Sequence, residues 1–348
     1  MRTAILIGSL SVCSIVSNAQ LLGGSASMNF LRLPPGATVS APGGLVVARD
    51  RSDLAIAYQN PALLETGRPA RLHSSFLFLP GGSSVYFLSA ITSKPQARLV
   101  TSVSLQYVDH GTVPSTDAGG NILGSFRPRD WSMQLAASLP YLSRWRGGAA
   151  LQWAHASYGI YRSTAFLANM GIRYRDTANG FTFGAILRHA GFFVGRFDGG
   201  STQQLPIELA FGVWKKWKDS PFAAGITWQR MQRWNLEADE LFDPNLSPIG
   251  VDNRQSTFAG QFFNHLILSA RVELHPQLQF IGGYNFLRRR ELGWAGGANG
   301  LSGFSYGVQA TLHRLQLSFA RSHYMANQSQ NQLSFEYSLK PYGNGWKR

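Results

Sequence analysis

Cysteine is all but absent from this chain: the 348 residues include one, Cys13. It lies in residues 1–19, where one early charge (Arg2), an apolar run from Ala4 to Val16 and the close Ser17-Asn18-Ala19 read as a secretory signal peptide cut before Gln20. A chain cut there has no thiol, so disulfides, thiol catalysis and thiolate metal sites are excluded together. Bulky Val12 directly before Cys13 argues against a lipid-anchoring cysteine.

Acidic residues are also scarce, 18 against 32 Lys plus Arg, for a formal charge of +14. The basic residues are scattered rather than gathered on a helix. In an exported chain that surplus suits anionic lipid headgroups or lipopolysaccharide better than nucleic acid. Beyond the signal peptide no apolar stretch approaches the roughly 20 residues of a membrane helix, so a membrane reading must rest on strands. Catalytic signatures are missing as well. There is no HExxH, no Ser-x-x-Lys pair and no expected nucleophile elbow, and the eight histidines are dispersed without short zinc-ligand spacing. The chain reads as non-enzymatic, with no catalytic residue, no metal and no cofactor.

Short alternating segments are what the sequence does have. Leu99, Thr101, Val103, Leu105 and Tyr107 interleave with Val100, Ser102, Ser104 and Gln106; Leu333, Phe335, Tyr337 and Leu339 interleave with Ser334, Glu336, Ser338 and Lys340. Fourteen such strands are predicted: 71–79, 84–92, 98–108, 129–139, 147–156, 165–175, 180–189, 205–215, 221–230, 261–272, 277–286, 302–312, 314–323 and 330–340. Most have the length that crosses a bilayer at a tilt. Connections after even-numbered strands are short, such as Asp176–Asn179 and Glu273–Pro276. Those after odd-numbered strands include the long Asp109–Pro128, Ala190–Gln204, Met231–Gly260 and Leu287–Leu301. This asymmetry is that of an outer-membrane barrel with short periplasmic turns and both termini periplasmic. Tyr86, Tyr107, Trp131, Tyr141, Trp145, Tyr174, Trp214, Trp217, Trp228, Tyr284 and Tyr337 sit near strand ends, as interfacial belts require. Basic, aromatic Lys215-Lys216-Trp217-Lys218 falls at a periplasmic turn, where it anchors a strand end to headgroups.

Ahead of the strands, Gly36–Leu64 has breakers and turn formers but no long regular element. Such a segment buries little of its own surface and needs a host. The expected organisation is a signal peptide at 1–19, a plug-like segment at 20–70, the barrel at 71–340 and a periplasmic tail at 341–348. Gly43, Gly44, Asp50, Asp53, Asn60 and Pro61 are the candidate plug or latch residues. The barrel wall would offer them the charges Arg71, His73, Arg173, Arg188, Glu208, Arg271, Glu273 and Glu336, with Glu65 as a further acidic partner. Trp234, Leu236, Leu241 and Phe242 in the Met231–Gly260 loop are candidate partner contacts.

The stretch GATVSAPGGLVVARDRSDLAIAYQNPALL resembles the plug of FadL-like (long-chain fatty-acid transporter) barrels, including its Asn60-Pro61-Ala62 close. Phe30–Gly44, Asp50–Leu64, Tyr107–Phe126 and Leu205–Leu236 resemble more closely the PorQ-like outer-membrane components of the Bacteroidota type IX secretion system. That resemblance implies a non-catalytic barrel organising a cell-surface attachment complex. Its implied partners are a PorZ-like surface protein, a PorU-like sortase, a PorV-like shuttle barrel, outer-membrane lipid and lipopolysaccharide. The alternative is a FadL-like outer-membrane channel for hydrophobic small molecules.

Overall fold

The computed structural model describes residues 27–51, 53–65, 70–79, 82–92, 98–117, 119–197, 204–234, 236, 258–291, 300–325 and 328–339. The expected signal peptide and C-terminal tail lie outside them. The strands are β1 (Arg71–Phe78), β2 (Ser84–Thr92), β3 (Val100–Asp109), β4 (Val113–Thr116), β5 (Ile122–Phe126), β6 (Arg129–Pro140), β7 (Trp145–Tyr158) and β8 (Tyr161–Asp176). They continue as β9 (Phe181–Gly195), β10 (Glu208–Lys216), β11 (Phe222–Trp228), β12 (Leu266–His275), β13 (Leu278–Asn285), β14 (Phe304–Leu312), β15 (Leu315–Met325) and β16 (Gln328–Ser338). All but β4 and β5 form one closed antiparallel barrel of fourteen strands. Closure is made by β1 on β16, from Arg71 opposite Ser338 to Phe78 opposite Asn331. No open edge is left to face hydrocarbon.

Alternation dictates the two faces. On β3, Val103 and Leu105 look outward while Ser104 and Gln106 are buried inside; on β16, Leu333, Phe335 and Tyr337 look outward while Gln332, Ser334 and Glu336 are buried. A surface apolar outside and polar within is stable when lipid is the outer solvent. The chain is a fourteen-stranded transmembrane outer-membrane β-barrel.

The structure corrects several boundaries. β7, β8 and β9 run 14, 16 and 15 residues, well past the predicted ends, and β7 meets β8 through a tight turn at Gly159-Ile160. The expected start of a strand at 261 is instead helix α3 (Phe258–Asn264), because FAGQFFN lacks the period of two. The Asp109–Pro128 connection holds the β4–β5 hairpin, whose two strands pair with one another apart from the barrel. Trp214 is not in the interfacial belt. β10 turns Glu208, Ala210, Gly212 and Trp214 inward, and Trp214 packs with Ala48 and Ala223.

The lumen is filled by residues 28–51 and 53–65, almost all buried. The segment comprises a 3-10 turn (Asn29–Arg32), helix α1 (Ala37–Ser40), helix α2 (Leu54–Gln59) and a 3-10 turn (Pro61–Leu63). Local chemistry sets these turns. Asp53 Oδ1 accepts from Ile56 N at 2.8 Å and caps α2, while Asn60 Oδ1 accepts from Ala62 N at 3.1 Å, ahead of Pro61. Gly43 and Gly44, at φ 111° and 97°, turn the chain through left-handed geometry that other residues avoid. Irregular backbone buried this way needs hydrogen-bond partners, which the wall supplies from Ser and Gln side chains. Ser334 Oγ accepts from Ala37 N at 2.8 Å, Gln332 Nε2 donates to Pro34 O at 3.0 Å, and Gln134 Nε2 donates to Tyr58 O at 3.2 Å.

Candidate functional site

Charged side chains hold the plug to the wall at several points. Arg271 of β12 donates to both carboxylate oxygens of Asp50, at 2.8 and 2.7 Å, and also meets Glu273 at 3.1 Å. Glu336 of β16 accepts from Arg71 at 2.7 Å and from Leu54 N at 3.0 Å, placing a wall carboxylate on an unsatisfied N–H at the start of α2. Glu65 accepts from Arg173 and Arg175, each at 2.8 Å, at the short-turn end. Burial alone would raise the Asp50 carboxyl. The adjoining Arg271 charge and hydrogen bonds outweigh that, and its pKa falls to about 2. Nearby Arg49 is pulled down to about 10, first by burial and then by the Arg271 charge; it donates to Thr38 O at 3.2 Å and lies over Trp214.

The predicted wall charges thus meet the plug or one another. His73 approaches Glu336 at 3.5 Å, and Arg188 pairs with Glu208 at 3.0 Å. Asn60 Nδ2 donates to Val47 O, Gly43 O accepts from Asn285 and Arg288, Pro61 is buried against Gly148 and Gly171 of the wall, and Gly44 adjoins Arg288. Asp53 is a helix cap. Trp234 stacks on His265 at 5.3 Å on the long-loop rim and Leu236 is half-buried beyond it; Leu241 and Phe242 lie outside the described residues.

Between the plug and the long-loop rim lies a cavity of about 310 Å³. The plug contributes Arg32, Pro34 and Gly43–Leu45; β9, β10 and β15 contribute Arg188, Glu208 and Tyr324, Gln229 follows β11, and helix α4 (Phe286–Glu291) contributes Leu287 and Arg288. Arg288 is buried, donates Nη2 to Gly43 O at 3.0 Å and lies 4.1 Å from the Tyr324 ring centroid. Its Nη1 and the Nε of buried Arg188 have no hydrogen-bond partner. Sequence reading left Arg288 inside a long loop; its one available signal was the basic run Arg288-Arg289-Arg290 directly after a strand.

Against the expectation of no nucleophile elbow, Gly303-Phe304-Ser305-Tyr306-Gly307 spells that pattern. Here Phe304–Gly307 belong to straight strand β14, and Ser305 Oγ, buried in the wall, donates to Gly283 O. No strand-to-helix turn exposes it, so the pattern is incidental. Among the described residues no group of three His, Cys, Asp or Glu side chains could hold a metal ion.

Neither a protein-family model nor a curated protein matches the sequence. Solved structures do match in fold. The toluene transporter TodX of Pseudomonas putida shares 12% identity at a TM-score of 0.51, over 87% of this chain and 97% of that one. The monoaromatic hydrocarbon channel CymD shares 13% identity at 0.55, over 90% and 99%. What the chain shares with these two channels is the fold, a closed antiparallel fourteen-stranded barrel.

That finding overturns the closer resemblance to PorQ-like attachment-complex components, and with it the secretion role. The physical reason lies in the residues that carried it. Phe30–Gly44 and Asp50–Leu64 are spent on filling a lumen, and half of Leu205–Leu236 is wall strand. Any plugged barrel makes those demands.

Proposed function

We propose that this chain is an outer-membrane channel for small hydrophobic molecules that carry an anionic group. One observation carries the reading: in a single cavity Leu45, Leu287 and Tyr324 adjoin buried Arg188 and Arg288. The positive charge that Arg188 and Arg288 bring to the lining attracts an anionic group, whose charge-assisted bonds offset the desolvation of buried guanidinium groups. The apolar part of the ligand lies along Leu45 and Leu287. The hydrophobic class is further supported by the likeness in fold to a toluene transporter and a monoaromatic hydrocarbon channel. With the plug anchored by these charged contacts, the barrel admits single small molecules rather than an open ion current.

The test is uptake by proteoliposomes of a radiolabelled aromatic carboxylate and a medium-chain fatty acid. Saturable uptake above protein-free vesicles is expected, with R288Q reducing it about tenfold, the loss of one charge-assisted bond of about 1.5 kcal/mol. Uptake of both compounds no faster than through bare lipid would overturn the proposal.

A further inference from the structure

The barrel wall is uneven in height. β7–β9 run 14 to 16 residues, whereas β11 has 7 and β13 has 8. A tilted strand needs about 9–11 residues to cross the hydrocarbon layer. β11 and β13 alone therefore fall short of that span and leave a low rim on either side of β12, which has 10 residues.

Helix α3 stands at that low rim, immediately before β12, and its amphipathicity is reversed for a helix facing water. Its polar end is turned in: Asn264 and the following His265 are buried, with His265 bonded to Gln229 O at 2.8 Å and Trp234 O at 3.1 Å. Its phenylalanines are turned out, Phe258 at 71%, Phe262 at 39% and Phe263 at 47% exposure. The two His265 bonds and the Trp234 stack fix this orientation, so the helix cannot simply roll its rings inward. An outward aromatic face beside buried polar groups costs free energy in water and gains it in lipid.

The rings are also continuous with the lipid-facing wall. Phe263 meets Phe286 at 5.4 Å, Phe286 meets Tyr284 of β13 at 4.7 Å, and Tyr284 meets Phe304 of β14 at 4.6 Å. Phe304 belongs to the outward face of the barrel. The aromatic face of α3 thus extends a surface that already contacts lipid.

We infer that α3 is a membrane-contacting helix whose Phe258, Phe262 and Phe263 pack against acyl chains of the outer leaflet, completing the apolar belt where β11 and β13 are short. The occupant is lipid, as for an interfacial helix that lies in the boundary plane.

Nitroxide labels at F258C and F262C, in a C13S background, test this by power-saturation EPR in phospholipid vesicles. L268C on the outward face of β12 is the lipid reference and I160C at the β7–β8 tip the water reference. The expected result is oxygen collision exceeding that of a polar nickel complex at 258 and 262, within about twofold of L268C. A nickel-dominated pattern like that of I160C would overturn the inference. So would low collision with both reagents, which marks a face covered by protein. F263C provides a third position if either variant fails to assemble.

Discussion

Arg271 and Asp50 stand 221 residues apart in sequence and meet through two parallel bonds of 2.8 and 2.7 Å, joining the barrel wall to the segment that fills it. Arg271 is among the most deeply buried large side chains of the molecule. A planar guanidinium facing a carboxylate in this manner fixes direction as well as distance.

R271M leaves Asp50 and Glu273 without their shared cation in a desolvated site. We expect a loss of about 3–5 kcal/mol, read as a lowered thermal unfolding midpoint in detergent. D50N should cost less, because Arg271 keeps Glu273 at 3.1 Å. Equal midpoints for R271M and the unaltered protein would remove the pair from the account of plug anchoring.

The same pair makes plug retention depend on acid. Asp50 titrates near 3.8 when free and about 2 here. A carboxyl lowered on folding contributes stability above its unfolded value and loses it as pH falls through the folded one. Protease sensitivity of the plug should therefore rise between about pH 4 and pH 2, and D50N should flatten that rise.

Adjacent glycines on β7 give a steric contrast. A Cβ on Gly148 would overlap Ala62 N and Pro61 C of the plug, whereas one on Gly147 meets nothing within 4 Å. G148V should dislodge the plug and raise single-channel conductance in planar bilayers. G147V should behave as the unaltered barrel. Indistinguishable currents from the two would mean that the plug shifts to accommodate the side chain.

Removing the α2 cap with D53A leaves Ile56 N without its 2.8 Å acceptor. The expected cost is about 1 kcal/mol, with D53N retaining most of it. Chemical denaturation of the two variants side by side checks this.

Outside the membrane, His110 meets the buried carboxylate of Asp130 at 2.7 Å below the β4–β5 hairpin, and this hydrogen bond raises the imidazole above its ordinary value of 6.5. A raised histidine contributes stability in full below 6.5 and loses it as pH rises through the folded value. Hydrogen exchange of the hairpin should quicken with alkali beyond its intrinsic pH dependence, and H110A should abolish the excess.

Much of this architecture was legible in the sequence because its signals are short-range. Val103 and Leu105 alternate with Ser104 and Gln106 whatever the partner strand, so strand number and outer face followed directly. Gly43-Gly44, Asp53 and Asn60-Pro61 announce turns and caps within a few residues. The same locality misled the functional reading, since plug and wall residues answer to packing demands common to any filled barrel and say little about partners. Arg288 went unnoticed because a six-residue helix carries too little period to be seen.

By itself, then, the sequence determined a fourteen-stranded barrel, polar within and apolar without, and a filling segment rich in turns. Tertiary structure alone decided that Asp50 faces Arg271, that Glu336 caps α2, that Trp214 turns inward over Arg49, and that α3 points its phenylalanines out. The physical reason is range. Alternation and capping act over a few bonds, whereas the partner of a charge across the lumen exists only once Arg71 lies opposite Ser338 and the wall has closed.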